Sequence, residues 1–287
     1  MVEYSPGLEG VIAGETAICS ISEEGLAYRG YPIAELAANC SFEEVAYLLL
    51  YGELPVHHEL EAFRRDLTLA RPLPPGFTRL LRAIPGHIPA MDALRSAVSL
   101  QAHFDPETAD NSPEATLRKA VRLLAQIPAL IGEWHRARTG APAPETEAPE
   151  GHAAYLLHQL TGALPGPDAA RTLDVSLILY AEHELNASTF AARVTVSTLS
   201  DLHSGIVSAI GTLKGPLHGG ANERAMELLE EIGGPEHAEA AIEERLARKE
   251  RIMGFGHRVV RQGDTRAEIL HRLGVDLSRK LGNTHWQ

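Results

Sequence analysis

The spacing of apolar residues along most of this chain has the period of amphipathic helices. Val45, Leu48 and Leu49 recur at i, i+3 and i+4, the stripe that a helix buries against its neighbours. Ser41 and Glu44 precede this stripe as a capping box, in which each side chain accepts a hydrogen bond from the other residue's backbone N–H. Further stripes of the same period are Leu60, Phe63 and Leu67, then Met91, Leu94 and Val98. The pattern therefore predicts a mostly helical chain.

Glycine and proline residues indicate where the helices begin and end. Gly52 and Pro55 predict the end of the helix that starts after Ser41, because neither residue continues a helix well. Ser112 followed by Pro113 predicts a helix start, with a capping hydroxyl and a proline at the first helical position. The proline-rich segment 140–149 predicts an exposed loop between helices rather than a domain boundary.

The pattern changes after Asp168, which we expect to cap a helix. Residues 175–180 are apolar on nearly every side of that helix, so we expect it to be buried all round, in the core or against another subunit. Residues 190–213 are rich in Ala, Ser, Thr, Val and Gly. Such small side chains let helices approach closely, which predicts a dense interior or a dimer seam.

Strand signals are restricted to residues 16–21 and 26–29. The two segments are short, rich in β-formers and close in sequence, so they predict one small hairpin. The sequence therefore indicates an all-α fold with at most a small N-terminal β-hairpin.

Composition narrows the classes of protein that fit. The 287 residues are 44% hydrophobic, enough for one large domain or two modest ones. A net charge of -12 argues against nonspecific nucleic-acid binding, although a locally basic site for an anionic ligand remains compatible with it. Cys19 and Cys40 do not make a disulfide framework. The chain shows neither a membrane-spanning apolar run nor a signal-peptide pattern, so the cytoplasm is the expected compartment.

The first candidate chemical site directly follows the apolar helix. Glu182, His183, Glu184 and Asn186 place carboxylates, an imidazole and an amide at the end of a buried element. Buried polar groups need partners. Two interpretations remain open: a ligand site, or a core histidine whose hydrogen bonds are satisfied within the protein.

The second candidate is a glycine-rich segment around His218. Gly219 and Gly220 follow the histidine, and residues without a side chain clear space for a ligand beside the imidazole. Asn222, or a free backbone N–H, is expected to cap a helix that starts at about Glu223. The alternative interpretation is a plain helix–helix turn.

The third candidate is a basic loop in an otherwise acidic chain. Gly254 and Gly256 precede His257, and glycines expose backbone N–H groups to anions. Nearby arginines, which contact phosphate or carboxylate in a bidentate manner, are Arg258, Arg261 and Arg266. The alternative is a solvated basic turn.

Two other kinds of chemistry find little support in the sequence. The histidines show no HExxH spacing and no nearby thiolates, so no metal site is expected. There is also no GxSxG nucleophile motif, and neither cysteine is close to a histidine in sequence.

These three segments, together with residues 7–13, 28–33 and 42–49, resemble the bacterial type of the citrate synthase family. The resemblance runs in order from about residue 7 to about residue 284, and by it the chain is identified as a member of that family. It implies a helical homodimer with two domains per subunit, here a large dimer-forming domain at 1–217 and an incomplete small domain at 218–287 that carries a CoA-binding loop. It implies condensation of acetyl-CoA with oxaloacetate and water to citrate and CoA, with no metal and no cofactor beyond the CoA substrate.

The resemblance also implies roles for individual residues. His218 would donate a hydrogen bond to the thioester carbonyl, and His257 would polarise the attacked carbonyl of oxaloacetate. His183, Asn186 and Arg266 would bind oxaloacetate or citrate. The expected CoA-binding residues are Ile252, Met253, Gly254, Phe255, Gly256 and Arg261.

The sequence departs from the family pattern in one chemically important respect. The family removes the methyl proton of acetyl-CoA with an aspartate in an Asn-Val-Asp context, which does not occur in these residues, so the chain is expected to be C-terminally truncated relative to the family. Asp276 has no setting that favours it as the base. Val260 and Thr265 replace the usual tyrosine and proline, changes that we expect to be tolerated.

Three hypotheses follow from this departure. The chain is part of a complete citrate synthase, it binds ligands without turnover, or it makes 2-methylcitrate from propionyl-CoA. The preference between acetyl-CoA and propionyl-CoA, and any allosteric control, are not determined by these motifs.

Overall fold

A computed structural model describes residues 12–22, 25–255 and 264–283 of the chain. Three short strands lie near the N-terminus: β1 (Cys19–Ser22), β2 (Gly25–Tyr28) and β3 (Tyr31–Pro32). β1 pairs antiparallel with β2, with Cys19 opposite Tyr28, and β2 pairs antiparallel with β3. The predicted hairpin is confirmed, and the two-residue strand β3 adds to it.

The other regular elements of the described chain are all helices, which confirms the predicted fold class. The helices are α1 (Ile33–Asn39), α2 (Phe42–Tyr51), α3 (His57–Ala70), α4 (Phe77–Arg82), α5 (Ala90–Gln101), α6 (Pro113–Thr139), α7 (His152–Thr161), α8 (Pro167–Tyr180), α9 (Ala187–Val196), α10 (Leu202–Leu213), α11 (Gly220–Ile232), α12 (Pro235–Ala247) and α13 (Thr265–Lys280). The proline-rich segment between α6 and α7 is a loop, as predicted.

Several helices begin or end at the capping residues that the sequence predicts. The Ser41 hydroxyl accepts from the Glu44 N–H, and a Glu44 carboxylate oxygen accepts from the Ser41 N–H at 2.7 Å. Helix α2 ends at Gly52, which has φ 98°, a left-handed conformation that glycine adopts without strain. Ser112 caps α6 by accepting from the Ala115 N–H.

Two predicted helix starts were wrong by a few residues. Gly166, rather than Asp168, is the N-cap of α8, and Asp168 lies in its first turn, where a carboxylate complements the helix dipole. Helix α11 starts at Gly220 with Gly219 as its N-cap. Asn222 is therefore inside the helix, and its N–H donates to the Gly219 carbonyl at 3.1 Å.

Two apolar cores meet on the long helix α6. The first core joins the sheet and helices α1, α2, α3, α6 and α8, and Ile269, Leu270 and Leu273 of α13 pack against it. The second joins α4, α5, α6 and α10. Val121 and Ala125 of α6 face the first core, while Leu123 and Leu130 face the second. Alternate faces of one helix thus connect both cores.

Within the single chain, helix α8 is buried on one face, and the expected burial of its other faces against another subunit stays a prediction. Val175, Ile178 and Leu179 are buried, but Tyr180 is 62% exposed. The apolar residues 175–180 cover more of the helix circumference than the face that packs against the first core. The division into domains at 217 and 218 stays a prediction.

The small residues at 190–213 bring α9 and α10 close together, as predicted. A Cβ atom added at Gly205 of α10 would lie 2.8 Å from Val196 Cγ1 of α9, closer than van der Waals contact allows. The helices therefore pack at this point only because residue 205 has no side chain.

Candidate active site

The turn between α8 and α9 holds the first group of predicted site residues. Asn186 is the N-cap of α9, and its Oδ1 accepts hydrogen bonds from the Ser188 N–H at 3.0 Å and the Thr189 N–H at 3.1 Å. Its Nδ2 donates to Thr189 Oγ1 at 3.0 Å. The Asn186 side-chain amide thus caps the N-terminus of α9, and this contact fixes the direction in which α9 leaves the turn.

Two carboxylates hold the backbone on either side of His183. The Glu184 N–H donates to Glu182 Oε2 at 3.1 Å, and Glu184 Oε1 accepts from the Ile21 N–H of β1 at 3.0 Å. Glu184 has φ 56°, a left-handed conformation that is costly for a residue with a side chain. Burial raises the pKa of Glu182. The turn is therefore held in an unfavourable shape by side-chain contacts.

His218 approaches the same helix start from the turn that follows α10. Its Nε2 lies 2.7 Å from Ser188 Oγ in the first turn of α9. Burial lowers the pKa of His218, which favours a neutral imidazole. Ser188 is a site residue that sequence reasoning missed, because the two residues are 30 positions apart and no motif joins them.

One hydroxyl proton decides which nitrogen of His218 can donate. Ser188 Oγ lies 3.1 Å from the Ala209 carbonyl as well as 2.7 Å from His218 Nε2, and it has only one proton. If Ser188 donates to Ala209, His218 Nε2 must carry the imidazole proton. If Ser188 donates to Nε2, the proton of the neutral ring is on Nδ1 and available to another acceptor.

The glycines after His218 do not open a space for a ligand, contrary to the interpretation from sequence. A Cβ at Gly219 would lie 2.5 Å from Leu213 Cδ1, and one at Gly220 would lie 2.5 Å from the Lys214 carbonyl oxygen. The turn folds back tightly on the end of α10, and glycine is needed because the chain itself fills the space.

The start of α13 brings an ion pair beside the His183 turn. Arg266 Nε donates to Asp264 Oδ1 at 3.0 Å, and its Nη2 donates to Oδ2 at 2.7 Å. The Arg266 guanidinium lowers the pKa of Asp264, and the attraction of His183 lowers it further. Asp264, also missed from sequence, thus offers Arg266 a carboxylate in the bidentate geometry that a substrate carboxylate would use.

The predicted CoA loop is described only in part. Ile252 and Met253 are half-buried, Gly254 has φ 94° and Phe255 is 77% exposed. The other predicted residues of this loop, Gly256, His257 and Arg261, lie outside the described residues. The structure therefore brings together His183, Asn186, His218 and Arg266, each through the contacts given above.

No group of three or more His, Cys, Asp or Glu side chains is arranged to hold a metal ion within residues 12–22, 25–255 and 264–283. Across the same ranges, no helix is both long and apolar enough to cross a membrane.

The fold belongs to a known class of helical enzymes. It matches the citrate synthase of Thermoplasma acidophilum, solved as a ternary complex with carboxymethyl coenzyme A and oxaloacetate, with a TM-score of 0.92 and 32% identity over 99% of this chain and 75% of that one. The citrate synthase of Pyrobaculum aerophilum matches with a TM-score of 0.88 and 37% identity over 98% of this chain and 72% of that one.

Sequence comparison agrees with the class that the fold defines. Citrate synthase 2 of Bacillus subtilis is 44% identical over 98% of this chain and 76% of its own length. The 2-methylcitrate synthase of Shewanella oneidensis is 44% identical over 96% of this chain and 74% of its own length. The family described as "Citrate synthase, C-terminal domain" matches residues 7–287. The chain belongs to the citrate synthase family, a family of acyltransferases.

Proposed function

We propose that this chain carries the part of a condensing site that binds oxaloacetate and polarises the thioester of acetyl-CoA, in a reaction that yields citrate and CoA. The observation that supports it most is the contact of His218 with Ser188 at 2.7 Å. This contact brings a neutral imidazole to the helix start that Asn186 caps, beside the turn that carries His183.

His218 is proposed to stabilise the enolate that forms when the thioester loses a methyl proton. A preorganised donor at the position where negative charge develops is effective in a site that excludes water. The donor is Nδ1 when the Ser188 hydroxyl donates to Nε2, so Ser188 is proposed to set the productive tautomer. The lowered pKa of His218 keeps the ring neutral and supports this role.

Oxaloacetate is proposed to bind between His183 and Arg266, with Asn186 at the same turn. Asp264 pairs with the Nε and Nη2 edge of the Arg266 guanidinium. A substrate carboxylate would have to share or replace this partner. His257 is proposed to polarise the attacked carbonyl, and CoA is proposed to contact Ile252, Met253, Gly254, Phe255, Gly256 and Arg261.

The proton-abstracting base requires a carboxylate near the thioester. Asp276 does not suit this role, because its side chain is 57% exposed and lies 3.7 Å from Arg279 on the same helix. The base is proposed to be the family aspartate in its Asn-Val-Asp context. We further propose a homodimer in the cytoplasm, with no cofactor beyond the CoA substrate and no nucleic-acid partner.

The test measures oxaloacetate-dependent release of CoA from acetyl-CoA, with oxaloacetate binding followed by calorimetry. In a chain that also carries the Asn-Val-Asp aspartate, we expect His218→Gln to lower CoA release by about 10²-fold or more, the usual cost of removing one oxyanion donor, while oxaloacetate affinity stays within about twofold. His237→Gln is the matched control, because His237 on α12 is 68% exposed.

Unchanged CoA release in His218→Gln would contradict the role of His218. Oxaloacetate binding without CoA release, in a chain that also carries the Asn-Val-Asp aspartate, would favour a ligand-binding member of the family over a turning-over enzyme. Absence of both would contradict the proposed function.

Synthesis of 2-methylcitrate from propionyl-CoA is the second candidate. It is favoured by the equal 44% identity of the chain to a citrate synthase and to a 2-methylcitrate synthase. The ratio of kcat/KM for acetyl-CoA and propionyl-CoA distinguishes the two, because one extra methylene in a pocket changes this ratio by about 10-fold to 200-fold.

A further inference from the structure

Tyr28 connects the small sheet to the candidate active site. It is the last residue of β2 and is 0% exposed. Its hydroxyl lies 3.1 Å from the Ile178 carbonyl, 3.3 Å from the Leu179 carbonyl and 3.1 Å from the Glu182 carbonyl. It also accepts a hydrogen bond from the Glu182 N–H at 3.2 Å. One hydroxyl thus meets both the end of α8 and the first residue of the turn that carries His183.

The Tyr28 hydroxyl acts as a cap for the C-terminal end of α8. The last carbonyls of a helix have no partner within it, and α8 ends at Ala181 in right-handed conformation without the glycine that commonly closes a helix. Burial raises the pKa of Tyr28, so the hydroxyl keeps its proton and donates to one of the carbonyls. At the same time its oxygen accepts a hydrogen bond from the Glu182 N–H, which gives that backbone group a partner within the protein.

A second contact from the same sheet holds the other side of His183. The Ile21 N–H of β1 donates to Glu184 Oε1 at 3.0 Å, and Glu184 is in left-handed conformation with φ 56°. Such a conformation persists only where surrounding contacts enforce it. His183 therefore lies between two residues that the hairpin holds, Glu182 by its backbone through Tyr28 and Glu184 by its side-chain carboxylate through Ile21.

Helix α13, which carries Arg266 in its first turn, packs against the same core as Tyr28. Tyr28 is a buried member of that core, and Ile269, Leu270 and Leu273 of α13 lie against it. The core that holds Tyr28 thus also supports the helix that carries Arg266.

We propose that Tyr28 is a positioning residue for oxaloacetate binding: its hydroxyl fixes the backbone of Glu182 and so sets the orientation of His183. The binding role of His183 rests on the proposed function, whereas the effect of Tyr28 on the turn does not. Tyr28 itself touches no reacting atom in this account and acts through the turn.

The test compares Tyr28→Phe with Tyr155→Phe. Both changes delete one hydroxyl from a buried tyrosine, since Tyr155 is 5% exposed, but Tyr155 lies on α7 beneath Arg71. We expect Tyr28→Phe to speed amide hydrogen exchange in peptides covering 181–186 by about tenfold, the factor that corresponds to about 1.4 kcal/mol. We expect oxaloacetate to bind about 5-fold to 10-fold more weakly, on the same conversion. Tyr155→Phe leaves both quantities at wild-type values.

A second variant covers the case in which Tyr28→Phe does not fold. Alanine, like glutamate, has a side chain and is strained in the left-handed conformation. Glu184→Ala therefore removes only the carboxylate that accepts from the Ile21 N–H. If the hairpin positions the turn, Glu184→Ala speeds exchange at 181–186 and weakens oxaloacetate binding in the same direction as Tyr28→Phe.

Unchanged exchange at 181–186 overturns the inference, and so does faster exchange with unchanged oxaloacetate affinity. Faster exchange with weaker binding supports it, provided that circular dichroism shows the variant folded. If the wild-type chain does not bind oxaloacetate, the proposed function fails, and the exchange data alone decide whether Tyr28 sets the turn.

Discussion

The helices α1–α8 and the helices α9, α11 and α12 bury their apolar side chains to very different extents. Val45 and Leu48 of α2 and Ile178 of α8 are 0% exposed. By contrast, α9 and α12 bury no residue within the described chain, and α11 buries only Leu228. Apolar side chains exposed in or beside this second group are Val194, Leu199, Leu213, Leu217, Met226, Leu229, Leu246 and Phe255.

This contrast separates two sources of stability. The first group of helices is stabilised by contacts within the chain. The exposed apolar side chains of the second group are not covered within the described chain, and we expect the proposed second copy of the chain to bury part of them. The candidate active site lies at the boundary, where Asn186 and Ser188 begin α9.

The largest expected effect on the free energy of unfolding comes from the same Leu→Ala substitution made in each group of helices. Leu48→Ala should lower the free energy of unfolding by about 2–5 kcal/mol, the cost of a cavity in a packed core. Leu229→Ala should change it by no more than about 0.5 kcal/mol, as at exposed sites, because Leu229 is 51% exposed. Urea unfolding at low protein concentration measures both.

Equal losses for the two variants would break the contrast. A cost at Leu229 that appears only as the protein concentration rises would sharpen it, since it would assign the burial of α11 to a second molecule.

A second test uses pH. Burial, with a contribution from the Arg71 charge, lowers the pKa of His152 on α7 from 6.5 to about 4. Between these values the unfolded chain binds a proton that the folded chain does not. The free energy of unfolding should therefore fall as pH falls through this window, by up to about 3 kcal/mol.

His152→Phe should reduce this slope while keeping the ring contact with Phe42, whose centroid is 5.1 Å away. The control is His237→Phe in the second group of helices, where the side chain is 68% exposed. A slope that is the same in both variants and the wild type would show that His152 is not the titrating group.

The smallest expected effect comes from two glycines on α10, one on each side of the contrast. Gly205→Ala should cost about 1–3 kcal/mol, because its Cβ would lie 2.8 Å from Val196 of α9. Gly211→Ala should stabilise by up to about 1 kcal/mol through helix propensity, since its Cβ would meet Arg95 of α5 at an ordinary 3.7 Å. Thermal unfolding compares them, and a loss of stability in Gly211→Ala would contradict this account.

Helix ends that depend on contacts between residues close in sequence could be predicted from the sequence. The Ser41 capping box and the αL glycine at 52 depend on contacts within four residues, and both are present. The start of α11 was missed because Gly219 and Gly220 looked like spacers around a ligand. Their real cause, the close approach of Leu213 and Lys214, follows from how the chain folds back on itself.

The candidate site could be predicted only in part, for the same reason. The sequence itself singles out the segments that carry His183, His218 and Arg266, and the resemblance implies their roles, but neither predicts the partners that hold them. Tyr28 is 154 residues from Glu182, and no local pattern reports such a distant contact.

Arg71 has a practical consequence for protein engineering. Its buried guanidinium donates to the carbonyls of Pro149 and Glu150 and lies 4.1 Å from the centre of the Tyr155 ring, and Thr146 contacts His158 at 2.9 Å. The second half of the connection between α6 and α7 is thus held by side-chain contacts, whereas Pro142 and Ala143 in its first half are exposed. A peptide tag or a split-protein junction belongs at 142–143, and a junction at 149–150 would disturb the contacts of Arg71.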